Sequence, residues 1–155
     1  MMTRDKMIAH LRAADAREAA AHGHHPFGAI LVGPDDGILM RQGNIDTVRH
    51  AETEIARRAA AAYPPDFLWT CTLVSTGEPC AMCTGTLYWA NIGRLVYGFE
   101  EAKLLALTGS HPKNPTLNLP SRIVLGYGQK KIEVFGPFPE IEYELIAPHR
   151  DFWKL

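Results

Sequence analysis

The segment WTCTLVSTGEPCAMCTGTLYWANIGRLVYGF, Trp69 to Phe99, decides how this chain folds. WTCTLVST is a β-branched run, apolar on both faces, which is the pattern of a central strand covered from either side. AMCTGTLYWA, residues 81–90, is apolar around its whole circumference and reads as a helix buried against that strand. Asn91 and Gly93 stop it, and RLVYGF supplies a further strand. At the join, GEPCAMC sets Cys80 and Cys83 three apart behind Pro79. That spacing fits a redox dithiol, half of a zinc site, or two small residues on a buried helix.

Outward from this unit, residues 3–21 read as an amphipathic helix with Thr3 as N-cap, an apolar face of Met7, Ile8, Leu11 and Ala14, and Gly23 as its stop. FGAILVG and GILMRQG flank Pro34-Asp35-Asp36 as a hairpin. AETEIARRAAAA, residues 51–62, is strongly helical until Tyr63-Pro64-Pro65 ends it. Short helices at 100–107 and 121–127 bracket a Pro- and Asn-rich loop, and KIEVFG is a last strand. A helix at 140–147 and an aromatic tail close the chain. Strands alternating with helices predict one domain, residues 1–155, built as a three-layer α/β/α sandwich on a mixed five-stranded sheet.

Composition narrows the function classes. Sixteen Lys and Arg against seventeen Asp and Glu give no general field for a polyanion, which argues against a nucleic-acid partner. The N-terminal stretch carries charges throughout, so it reads as neither signal peptide nor membrane span. Three cysteines make no disulfide framework, and the expectation is a cytoplasmic protein using its thiols for metal or catalysis.

A catalytic zinc takes thiolate and imidazole ligands and keeps one position open for water. With Cys80 and Cys83 as two ligands, RHAETE offers the third, His50, and a proton carrier, Glu52, at the start of a helix. If His50 sits at or before the cap, both side chains can face one pocket. Pro79 favours a helix start, which predicts Cys80 in the first turn and Cys83 one turn on. Two helix N-termini would then converge on the metal, favouring thiolate over thiol. A redox pair would leave His50 and Glu52 unexplained, and a structural zinc would want a fourth protein ligand. The plain reading of Glu52 is a first-turn acid favoured by the dipole, and that of Cys71 is a core residue.

His50-Ala51-Glu52 followed by Pro79-Cys80-Ala81-Met82-Cys83 resembles the signature of the cytidine deaminase-like zinc deaminases. More narrowly it resembles the branch of guanine, fungal-type cytosine and tRNA adenosine deaminases, through HPFGAILV, the Gly-Asn before HAE, and EPCAMCTGTLYWA. The resemblance implies one zinc per chain with one bound water. It implies hydrolytic deamination, in which Glu52 takes a proton from that water, passes it to a ring nitrogen and helps protonate the departing ammonia. It also implies a homodimer.

The same resemblance nominates substrate contacts: backbone groups near Ala51 and Cys80, the Asn44 side chain, Phe27, and Trp89 in the guanine deaminase-like YWA. Phe152 and Trp153 correspond to tail aromatics that close over a free base, on the same chain or on a neighbour. Relatives that read guanine carry an acidic cluster where this chain has TGSHPKNP, which makes His111 or Asn114 the replacement. Each aromatic has a core alternative, and His22, His24 and His25 read as loop histidines and not as a second metal site. A lid suits a small base or nucleoside, with guanine favoured. Cytosine-, isocytosine- or triazine-type bases, a tRNA adenosine and a non-catalytic zinc-bearing binding module are the alternatives.

Overall fold

The computed structural model describes residues 2–14, 17–109, 111–112 and 115–153, with the side chains of residues 17, 18 and 151 left aside. In chain order the first half runs α1 (Arg4–Ala13), α2 (Arg17–Ala21), β1 (Gly28–Val32), β2 (Ile38–Gly43), α3 (Ala51–Ala62) and α4 (Pro65–Leu68). The second half runs β3 (Thr72–Gly77), α5 (Ala81–Trp89), β4 (Arg94–Phe99), α6 (Glu101–Thr108), α7 (Ser121–Gly126), β5 (Glu133–Phe135) and α8 (Glu142–Phe152).

The strands form one mixed sheet in the order β2-β1-β3-β4-β5. β1 pairs antiparallel with both β2 and β3, while β3, β4 and β5 are mutually parallel. Period-two alternation sorts the core into two layers. Ile30, Val32, Val74 and Val96 face Met7, Leu11, Leu145 and Ile146 of α1 and α8. Ala29, Leu31, Leu73 and Leu95 face Ile55, Ala59 and Leu87 of α3 and α5. Apolar residues on both faces of the central strands therefore demand helices on both faces, which gives the three layers expected from the sequence. At Gly98 a Cβ would run into Leu145 and the Thr76 carbonyl, so the bare backbone is what lets α8 close on β4.

Several expectations are corrected. The helix expected over 3–21 breaks at Ala14, whose ψ of 34° leaves the helical region after its N–H bonds the His10 carbonyl. β3 starts at Thr72, because Pro65–Leu68 coils into α4 and buries Leu68 before the strand begins. α5 is not buried all round: Cys83, Thr84 and Leu87 point inward, while Met82 and Trp89 are exposed. α8 runs to Phe152, past Pro148, so the tail aromatics finish a helix and do not trail from one. Cys71 is a buried core residue, as expected. Among the described residues, no helix is long and apolar enough to cross a membrane.

Candidate metal centre and active site

His50 is the N-cap of α3 and Cys80 the N-cap of α5, both in extended backbone conformations. The capping position of His50 is the one the sequence required. Cys80 differs from the expectation: helical geometry begins at Ala81, so Pro79 lies just before the cap and Cys80 outside the first turn. Cys83, inside the helix, still turns back toward Cys80.

The ligand atoms form a nearly equilateral triangle. Cys80 Sγ to Cys83 Sγ is 3.6 Å, Cys80 Sγ to His50 Nδ1 is 3.6 Å, and Cys83 Sγ to His50 Nδ1 is 3.4 Å. A tetrahedral zinc with bonds of about 2.3 Å to sulfur and about 2.0 Å to nitrogen spans edges of about 3.8 and 3.5 Å, so the set fits zinc. Among the described residues this is the one cluster of His, Cys, Asp or Glu able to hold a metal, and His22, His24 and His25 form none. The second ring nitrogen, Nε2, lies 2.9 Å from the Thr47 carbonyl, which can only accept. That contact keeps a proton on Nε2, so Nδ1 is the atom that would give up its proton and turn a lone pair to a metal held by the sulfurs. Thr53 donates to Cys83 Sγ at 3.1 Å, orienting the second thiol.

Charge within the set is shared unequally. Hydrogen bonds from Cys83 and then His50 bring Cys80 down to about 4, and the bond to Cys80 raises His50 to about 9. Cys83 moves up, because it gives its hydrogen to Cys80. The loop from Asn44 to His50 is pinned by Asp46, which accepts from the Val48 and Arg49 backbone N–H groups and from the Arg49 side chain. Those bonds, the Arg49 amide foremost, hold Asp46 at about 2.

Glu52, in the first turn of α3, is only 4% exposed. Burial pushes its carboxyl up. The Ser75 hydroxyl lies 2.6 Å from Glu52 Oε1 and 2.6 Å from the Gly77 carbonyl. Ser75 was not singled out from the sequence, since the contact depends on how α3 lies over β3. Ala51 is fully buried beside Glu52. Asn44 is buried at the end of β2, where its Nδ2 donates to the Asp46 carbonyl and its N–H to the Phe27 carbonyl.

The aromatic residues divide. Phe27 sits edge-on to His149 at 4.9 Å, and Trp153 is 7% exposed, with its ring against His25, His111 and His149 of its own chain. Phe152 packs on His25 and Trp153. This cluster abuts Phe99 at the carboxyl end of β4, beside the strand end from which Cys80 emerges, the usual ligand edge of a parallel α/β sheet. Trp89 is not part of it. It is 80% exposed at the far end of α5 from Cys83, on an outer groove with Ala56, Arg57, Ala60, Met82 and Thr86. Asn114 lies outside the described residues.

Two further carboxyls escaped the sequence reading. Glu78 is buried and accepts three hydrogen bonds. Glu101, at the start of α6, is 9% exposed, and burial pushes it up to about 8, with the charges of Cys80 and Glu52 adding to the effect.

Residues 2–99 match the cytidine and deoxycytidylate deaminase zinc-binding region. The chain is 38% identical over 155 residues to a probable cytosine deaminase of Schizosaccharomyces pombe, spanning 96% of this chain and 93% of that protein. It is 36% identical over 82 residues to a guanine deaminase of Bacillus subtilis, spanning 49% and 51% of the two chains. The solved structure of a guanine deaminase from Nitrosomonas europaea superposes with a TM-score of 0.71 at 20% identity, covering 98% of this chain and 85% of that one; at that identity the likeness is one of fold. The chain therefore belongs to the cytidine and deoxycytidylate deaminase zinc-binding family, hydrolases that act on carbon–nitrogen bonds.

Proposed function

We propose that this protein hydrolyses the exocyclic amine of a free nucleobase, exchanging it for oxygen and releasing ammonia. The observation that carries the reading is the buried Glu52 carboxyl beside three ligand atoms that leave a fourth tetrahedral position for a small molecule. Bound zinc would supply Lewis-acid polarisation and a water acidic enough to ionise near neutrality. Glu52 is the proton carrier: its carboxyl takes the proton released on attack, delivers it to the ring nitrogen, and later assists the departing ammonia. Ser75 holds Oε1 in place, and Thr47 and Thr53 fix the His50 ring and the Cys83 sulfur. As the first helical residue, Ala51 has a backbone N–H with no partner inside the helix, suited to a substrate oxygen. Asn44, Phe27, His111 and the Cys80 backbone are assigned to substrate contact, with Phe152 and Trp153 as the cover.

A cover made by the chain's own tail favours a small base over a polynucleotide. Cytosine-type bases lead, because the similarity to the probable cytosine deaminase runs the length of the chain. Guanine is the second reading. It keeps the support of the Bacillus subtilis relative but loses that of Trp89, which stands on the outer groove. That exposed apolar groove supports a homodimer in which a second copy covers Trp89 and Met82.

An ammonia-release screen tests the reading with cytosine, isocytosine, guanine, adenine, their nucleosides, simple triazines and an adenosine-bearing tRNA stem-loop. Turnover of a free base by the zinc-loaded protein, absent in Glu52→Gln, is the expected result. Turnover of the stem-loop alone would replace it with RNA editing, and none at all would leave a zinc-bearing binding module.

A further inference from the structure

α6 and α7 both begin without a cap of their own. Neither Glu100 nor Pro120, their N-cap residues, makes a side-chain capping bond. Helix starts leave N–H groups that need acceptors, above all when buried. One carboxyl serves both. Glu78 Oε1 accepts from the Glu101 N–H at 3.0 Å, and Oε2 accepts from the Ser121 N–H at 2.9 Å and the Ser121 hydroxyl at 2.7 Å. The Glu78 N–H in turn donates to the Phe99 carbonyl at 2.7 Å. Every partner lies more than twenty residues away in sequence, and all but Phe99 start a helix.

We infer that Glu78 is a positioning residue that locks both ends of the segment from Glu101 to Ser121 in register with Cys80. Glu78 precedes Pro79 and Cys80 directly, so the tie runs from the ligand-bearing turn to the far wall of the site. Glu101, whose carboxyl senses Cys80 and Glu52, and His111, whose ring lies 5.3 Å from Trp153, both ride on the tied segment. The metal triangle has its own supports in Thr47 and Thr53, so Glu78 governs the wall that meets the base and not zinc retention.

Both Glu78 oxygens are acceptors, so Glu78→Gln puts an NH2 against an N–H at one helix start while keeping size and shape. Ser121→Ala removes only the hydroxyl donor. The zinc-loaded variants and their double variant are compared by zinc content, by hydrogen exchange resolved at the Glu101 and Ser121 amides, and by kcat and KM on the best base of the screen. E78Q is expected to keep one zinc per chain, to speed exchange at one or both amides by about tenfold or more, and to raise KM about tenfold with kcat changed less. The double variant should be no worse than E78Q alone, because both act through one contact. Loss of zinc in E78Q, unchanged exchange, a fall in kcat at constant KM, or additive effects would each overturn the inference. If E78Q does not fold, Glu78→Asp, which shortens the reach to both amides, carries the test by exchange at Glu101 and Ser121, and unchanged exchange there overturns it. The kinetic arm rests on the deaminase reading, whereas exchange and zinc content do not. Fast exchange in a protein that turns over no base would refute the activity and leave the tie standing.

Discussion

The Ser75 hydroxyl stands 2.6 Å from Glu52 Oε1 and equally close to the Gly77 carbonyl, yet it has one hydrogen to give. A carbonyl can only accept. When the Ser75 hydrogen goes to Gly77, the bond to Glu52 is complete only if the Glu52 carboxyl carries a proton and donates it. When Glu52 is ionised, the hydrogen swings to Oε1. The pair thus matches a carboxyl that alternates between two protonation states without leaving its place. Ser75→Ala should lower kcat by roughly ten- to a hundredfold, the worth of a buried hydrogen bond to a charged group, with zinc content unchanged. Steady-state ammonia release and metal analysis on the same preparation check it.

Glu52→Gln keeps the volume and removes the proton carrier. Loss of general acid–base transfer is worth about 10²–10⁴ in rate, so kcat should fall by that factor or more while the base still binds. Equilibrium binding of the best substrate to the zinc-loaded variant separates the two. An unaltered kcat would remove Glu52 from the mechanism.

Cys83 is buried and held by Thr53, and Cys80 is half-buried. Substituting Ser for Cys83 should therefore drop zinc below one per chain and lower the thermal midpoint, since metal binding adds to folding free energy. Chelation of the parent protein should abolish activity, with recovery on adding zinc. Thr53→Val should weaken zinc retention less than the Cys83 change, which competition with a chromogenic chelator reads directly.

The ligand set was legible in sequence because zinc chemistry restricts residue types and local spacing, and a cap position reconciles His50 with Glu52. The two-layer core was legible for a similar reason, since alternation along a strand is a local property. What escaped depends on contacts distant in sequence. Ser75 meets Glu52 only through the placement of α3 over β3, and Glu78 meets Ser121 across 43 residues. The sequence does not orient Trp89, because a helix apolar all round does not say which side faces the sheet. α8 extends beyond its sequence pattern because its last turn is held by tertiary contacts of His149 and Trp153, which no periodicity announces.

The 80% exposed Trp89 ring, beside Met82 on the α3–α5 groove, is the expected centre of a homodimer interface. Trp89→Lys should shift sedimentation from dimer to monomer at micromolar concentration, with zinc content unchanged. A parent protein that sediments as a monomer removes the interface.

His149 is fully buried between Phe27, Phe99 and Trp153, and its Nδ1 accepts the Trp153 indole N–H at 2.9 Å. Nδ1 must therefore be unprotonated, and the proton of the neutral ring sits on Nε2, which is buried without a partner among the described residues. Burial, reinforced by the nearby His25, lowers His149 to about 3. An imidazole whose folded pKa is depressed stabilises the fold fully above its ordinary value near 6.5. That contribution is lost as the pH falls from there toward 3, because the unfolded chain takes up the proton first. The loss approaches about 1.4 kcal/mol per pH unit, or about 2 kcal/mol between pH 6.5 and 5. Urea unfolding from pH 5 to 8 should show this slope in the parent protein. His149→Gln should flatten it, with a remainder from His10, which burial also lowers. Trp153→Phe keeps the ring but removes the donor, so it should cost about 1 kcal/mol at pH 7 and keep the slope. A parent protein and a His149→Gln variant with the same pH dependence would show that the buried neutral His149 ring does not set this slope.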